Sequence, residues 1–200
     1  MLASLRNEAG ISRRGFTLIE TLAAVTLLIV SIVSPMILTE RSLTSAYYAR
    51  DQITSFYLAQ EAVEAIHQIR DNNILKIAKN LNSGVTLFDG VPVSSSCSGT
   101  QTYFTVDATQ TNAANVIANV NCGTSASACP ALQTSGGLYG YGSGWTNTNF
   151  TRSVYACYTD SSQNEVYLSV TVSWQTSALQ ARSFTLTENL YRWIQDGSGV

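Results

Sequence analysis

Residues 13–38 read "RRGFTLIETLAAVTLLIVSIVSPMIL": two arginines, a glycine, then a long apolar run carrying one charge, Glu20. From Phe16 to Leu38 a helix would extend about 35 Å at roughly 1.5 Å per residue, enough to cross a bilayer. Arg6, Arg13 and Arg14 precede it. The positive-inside rule therefore keeps the N-terminus cytoplasmic and sends the rest of the chain across. A cleaved secretory signal is the competing reading, because it too is basic and then apolar. It requires a small-x-small cleavage site after the run. "SPMILTERSLTSAYYARDQ" (34–52) offers none and continues with helical spacing. Glu20 also argues against an ordinary anchor, since a carboxylate at this depth costs on the order of 3 kcal/mol to insert. Pro35 removes one helix hydrogen bond and crowds the carbonyl of Ser31, which favours a kink late in the run.

The helical pattern persists beyond the anchor. In "TERSLTSAYYARDQITSFYLAQEAVEAIHQIRDNN" (39–73) two apolar stripes fit steps of three and four. One uses Ile53, Phe56, Tyr57, Ala59, Val63, Ile66 and Ile69; the other uses Leu58, Ala62, Ala65 and Ile69. Asp71-Asn72-Asn73 reads as an end signal, with Ile74–Lys79 as a separate short turn. Anchor and stripe together predict one helix of about 56 residues, roughly 80 Å long. The stripe needs a partner, and the C-terminal part supplies one. "EVYLSVTVSWQ" (165–175) alternates apolar and polar residues with period two. "QTSALQ" (175–180) then reads as a turn, "ARSFTLTENLYRW" (181–193) as the returning strand, and "TRSVYACYT" (151–159) as the strand before. "GGLYGYGSGWTNTNFTR" (136–152) reads as the surface loop entering this meander, its glycines breaking regular structure. The expected fold is α+β, a long N-terminal helix packed on an antiparallel sheet. Its divisions are 1–15, 16–38, 39–80 and 81–200.

The exported part is poor in charge. Between Asp89 and Arg152 only Asp107 is charged, so solubility there rests on hydroxyls and amides, while scattered Tyr, Trp and Phe supply material to bury. Cys97, Cys122, Cys129 and Cys157 all lie in this part, with no C-x-x-C pair, and the single histidine, His67, sits in the helical segment. Disulfides suit this pattern better than zinc and place the head outside the cytoplasm. Three pairings are possible. Cys122–Cys129 with Cys97–Cys157 is preferred, because Cys122 and Cys129 flank one small Gly/Ser turn.

"RRGFTLIETLAAVTLLIVSIV" (13–33) resembles the type IV prepilin signal shared by type IV pilins, competence pilins and type II secretion pseudopilins. The resemblance covers about the first quarter of the chain. It implies cleavage between Gly15 and Phe16, removing a leader whose last basic residues are Arg13 and Arg14, and N-methylation of Phe16. It also implies that Glu20 of an incoming subunit meets the Phe16 amine of a neighbour, a buried pair that sets register more than raw stability. Its implied partners are a prepilin peptidase/N-methyltransferase, sister pilin or pseudopilin subunits, and the cytoplasmic membrane before assembly into an extracytoplasmic filament. A minor pilin is the first expectation. A type II secretion pseudopilin and a pilus-borne adhesin are the alternatives.

No catalytic motif, cofactor site or metal set accompanies this signature, so no enzymatic activity, cofactor or small-molecule substrate is expected. His67 has no nucleophile spaced with it in a recognisable motif, and "GYGSG" (140–144) precedes no helix as a phosphate loop would. Asn149-Phe150-Thr151 matches a glycosylation sequon but carries little weight. Without the leader the chain keeps eight basic against twelve acidic residues, from 11 and 13 in the whole chain. That balance is the wrong sign for nucleic acid.

Overall fold

The structure, a computed structural model, describes residues 15–79, 84–177 and 180–194. Arg6, Arg13, Arg14 and the rest of the expected leader up to residue 14 lie outside the described residues. The chain divides into two compact units, Met1–Ala46 and Tyr47–Val200, with the boundary inside helix α1 (Leu18–Ala78).

Within the first unit every described residue is exposed. The helix from Leu18 to Leu38 rises about 31 Å, the thickness of a hydrocarbon core, and α1 is long and apolar enough to cross a membrane. Three of its hydroxyls bond back inside the helix. Thr21 Oγ1 donates to the Leu18 carbonyl, Thr26 Oγ1 to Ala23 and Ser31 Oγ to Leu28, each at 2.8 Å. Such back-bonding suits a segment with no water around it. Pro35 lies inside α1, whose helical run continues through it, and its carbonyl accepts Thr39 Oγ1 at 2.8 Å.

The second unit has its own core. The apolar part of the buried face of α1 comprises Leu58, Ala59, Ala62, Val63, Ala65, Ile66 and Ile69. This merges the second expected stripe with part of the first. Ile53 and Tyr57 are excluded, at 58% and 64% exposed, because they sit roughly opposite Ala59 and Ala62 on a helix with 3.6 residues per turn. The helix also does not end at Asp71-Asn72-Asn73. The Asn73 side chain is buried and reaches outward instead of capping, donating from Nδ2 to the Leu87 and Asp89 carbonyls at 3.1 and 2.8 Å. With that amide satisfied by the returning chain, α1 continues to Ala78.

Among the described residues the sheet has eight strands. These are β1 (Val93–Ser94), β2 (Tyr103–Val106), β3 (Ile117–Gly123), β4 (Ala131–Ser135), β5 (Leu138–Gly140), β6 (Thr146–Tyr158), β7 (Glu165–Ser177) and β8 (Gln180–Tyr191). A short helix α2 (Ala113–Val116) precedes β3. The expected meander is its regular half: β6 pairs β7 from Phe150↔Trp174 to Tyr158↔Val166, and β7 pairs β8 from Glu165↔Tyr191 to Ser177↔Gln180. The strands thus extend into the stretch expected to be a turn. On its other side β6 carries short strands in succession: β4 from Thr146 to Thr151, β2 at Val154–Tyr155 and β1, in parallel, at Ala156–Cys157.

The segment 136–152 is not one loop. Leu138–Gly140 is β5, and β6 begins at Thr146. Gly136 and Gly137 have φ of 59° and 85° and link β4 to β5 where Ser135 pairs Leu138. Two consecutive positive φ values are what a two-residue type I′ hairpin demands, and glycine adopts them without a Cβ clash. Those glycines make a hairpin. Val166, Leu168, Val170, Val172 and Trp174 are buried in the core with Phe150, Val154 and Ala156 of β6.

Candidate functional site

The residues singled out at the N-terminus occupy the first turn of α1 and the chain before it. Gly15, Phe16 and Thr17 lie outside the helix. A Cβ built on Gly15 would meet nothing within 4 Å, and Phe16 is 78% exposed. Thr17 is the cap. Its Oγ1 accepts the Glu20 N–H at 3.4 Å, and its carbonyl accepts the N–H groups of Glu20 and Thr21 at 3.0 and 3.2 Å. Glu20 is therefore the third helical residue, exposed, with its carboxylate near the positive end of the helix dipole. Thr17-Leu18-Ile19-Glu20 has the spacing of a capping box, a signal present in the sequence that the motif reading passed over.

In the second unit the four cysteines form two bonds, Cys97–Cys157 and Cys122–Cys129, with Cα atoms 5.1 and 4.7 Å apart. The first ties the chain before β2 to the end of β6. The second closes a small loop between β3 and β4, containing a 3-10 turn at Ala126–Ala128.

His67 projects from α1 toward β8, where its Nε2 lies 3.2 Å from Glu188 Oε1. Two other polar residues were not singled out from the sequence. Arg152, on the helix-facing side of β6, is fully buried. One terminal nitrogen donates to the Leu58 carbonyl at 2.8 Å and to Glu61 Oε2 at 3.1 Å; the other donates to the Val106 carbonyl at 2.6 Å. One guanidinium thus joins α1, β6 and β2, a fork geometry that lysine lacks.

Asp107, also buried, organises the loops beyond β2. Its Oδ1 accepts the Thr109 N–H at 3.1 Å and hydroxyl at 2.6 Å; its Oδ2 accepts the Gln110 amide at 3.1 Å and the Tyr141 N–H at 3.4 Å. Burial pushes its carboxyl up, but these donors outweigh burial and hold the pKa below the ordinary 3.8. The loop must approach closely: a Cβ on Gly140 would sit 2.7 Å from Asp107 Oδ1. Nearby, burial raises the Tyr141 phenol, offset in part by the Thr105 hydroxyl bonded to it at 2.6 Å and by the charge of Arg152. Both networks hold elements together. Arg152 and Asp107 are buried, while Glu61 stays partly exposed.

Gly15, Phe16 and Glu20 share one helix end, and the cysteines lie far along the chain in the head. Comparison of this chain with protein-family models, with curated proteins and with solved structures found no match.

Proposed function

We propose that this chain is a structural subunit of a type IV pilus-like filament, cut between Gly15 and Phe16, N-methylated at Phe16 and assembled through α1. The observation that carries the reading is the exposed sequence Gly15-Phe16, one capping residue ahead of an apolar helix whose first turn bears Glu20. Burying a large aliphatic side chain is worth about 1.5–3 kcal/mol, and Leu18, Ile19, Leu22, Leu27 and Leu28 are all at least 60% exposed. That surface needs lipid or other helices around it.

Lipid satisfies the aliphatic side chains and leaves Glu20 costly. A second subunit satisfies both. Its helix covers the apolar surface, and the ammonium that cleavage creates on its Phe16 neutralises the carboxylate. A misplaced neighbour would leave two desolvated charges unpaired, so the pair selects axial register.

The test is mass spectrometry of the chain recovered from its native membrane and filament fractions. A mature N-terminus at a methylated Phe16 is expected, together with co-purifying sister subunits. Glu20→Ala should still be inserted and cut, yet enter filaments poorly. A chain uncut at Gly15, or Glu20→Ala filaments at normal yield, would overturn the proposal.

A further inference from the structure

Peptidases generally take their substrates as extended chain, because a helix withholds the scissile carbonyl in its own hydrogen bonds. In α1 this matters within one turn of the cut. Were the helix continued toward the N-terminus, the Ile19 N–H would bond the Gly15 carbonyl and the Glu20 N–H the Phe16 carbonyl, by the i to i−4 rule. Phe16 would tolerate that extension, since aromatic residues are only mildly disfavoured in helices. Gly15 resists it weakly. The structure instead closes the helix at Thr17: the hydroxyl and carbonyl of Thr17 take the Glu20 N–H at 3.4 and 3.0 Å, and Gly15, Phe16 and Thr17 are non-helical.

We infer that Thr17 is a positioning residue for the processing step. Its side chain stops the helix two residues beyond the scissile bond and keeps the Gly15 carbonyl out of it. The inference rests on the reading that the chain is cut after Gly15. In the hydrolysis, the oxygen of water bonds to the Gly15 carbonyl carbon and the bond from that carbon to the Phe16 nitrogen breaks. Gly15 leaves as a carboxylate, and Phe16 keeps the nitrogen, which takes up both protons of the attacking water to become the ammonium. A Gly15 carbonyl already engaged by the Ile19 N–H would be turned along the helix axis and withheld from polarisation. After the cut the same cap remains, so the mature helix starts at the same place with only Phe16 and Thr17 ahead of it.

The experiment uses the full-length precursor in membranes, with its peptidase co-expressed, following the uncut fraction over time. Thr17→Val keeps the shape and removes the oxygen, so it should slow cleavage about five-fold, the population shift of an ordinary lost N-cap. Thr17→Ser and Thr17→Asn retain a capping oxygen and should restore the rate. Hydrogen exchange at the Ile19 amide should slow in Thr17→Val, a readout that mere loss of stability would not produce.

Cleavage of the valine variant at the wild-type rate would overturn the inference. So would normal cutting of valine with poor cutting of asparagine, which would mean that the peptidase reads the shape of threonine. A wild-type chain that is never cut after Gly15 would instead overturn the filament reading itself.

Discussion

Arg152 shows how much can depend on one side chain. Truncating a buried, paired charge costs about 3–5 kcal/mol, and Arg152→Ala would strand the Val106 carbonyl and leave the Leu58 contact empty. The expected result is a loss of that size in urea unfolding of the detergent-solubilised chain, with Arg152→Met losing less because it fills the space. Glu61 is partly exposed, so Glu61→Gln should change stability by about 1 kcal/mol or less. Asp107 makes a prediction in pH. Its folded pKa lies below the ordinary value of 3.8, so its contribution is complete above that value and is lost as pH falls through the folded one. Wild type should therefore lose stability more steeply than Asp107→Asn below about pH 4, as denaturant midpoints measured between neutral and acid pH would show. Neither role could be read from the sequence. Arg152 there marks only the end of a charge-poor stretch, and Asp107 is its single charge. What makes each important is the set of backbone groups brought to it from distant segments.

At the level of elements, the regular parts were the legible ones. β7 was visible because every second residue from Val166 to Trp174 is apolar, and that period leaves one way to face a core. The short strands β1, β2 and β4 carry no such pattern, and they form where the long free side of β6 offers hydrogen bonds to the passing chain, while β5 in turn pairs with β4. The disulfides divide the same way. Cys97–Cys157 spans 60 residues and secures the chain leading to β2, whereas Cys122–Cys129 spans only 7. On the chain-entropy argument, closing the longer loop is worth about 2 kcal/mol more. Replacing Cys97 and Cys157 by serine should lower the unfolding free energy by that much beyond the Cys122/Cys129 double replacement. Equal losses from the two pairs would show that native-state strain or residual unfolded structure outweighs loop length.

For the whole molecule, the division at Ala46 and Tyr47 has a direct consequence. Every buried residue of α1 lies at or beyond Asp51, so the head owns its complete core. A fragment beginning at Tyr47 should be soluble and unfold cooperatively with both disulfides formed, measured by circular dichroism against denaturant. Cooperative unfolding only in longer fragments would mean that the first unit supports the core. The sequence alone determined the apolar helix, the charge placed near its start and the two-residue alternation of β7. Each is a local pattern whose period or composition allows one physical outcome. Only the tertiary structure decided which helix face is buried, where the helix stops, that Gly136-Gly137 turns a hairpin, and that Arg152 and Asp107 tie segments together. Those outcomes are set by hydrogen bonds and packing between residues far apart in the chain, such as Asn73 to Leu87, Leu58 to Arg152 and Asp107 to Tyr141. A local pattern contains no information about which distant carbonyl or side chain will arrive.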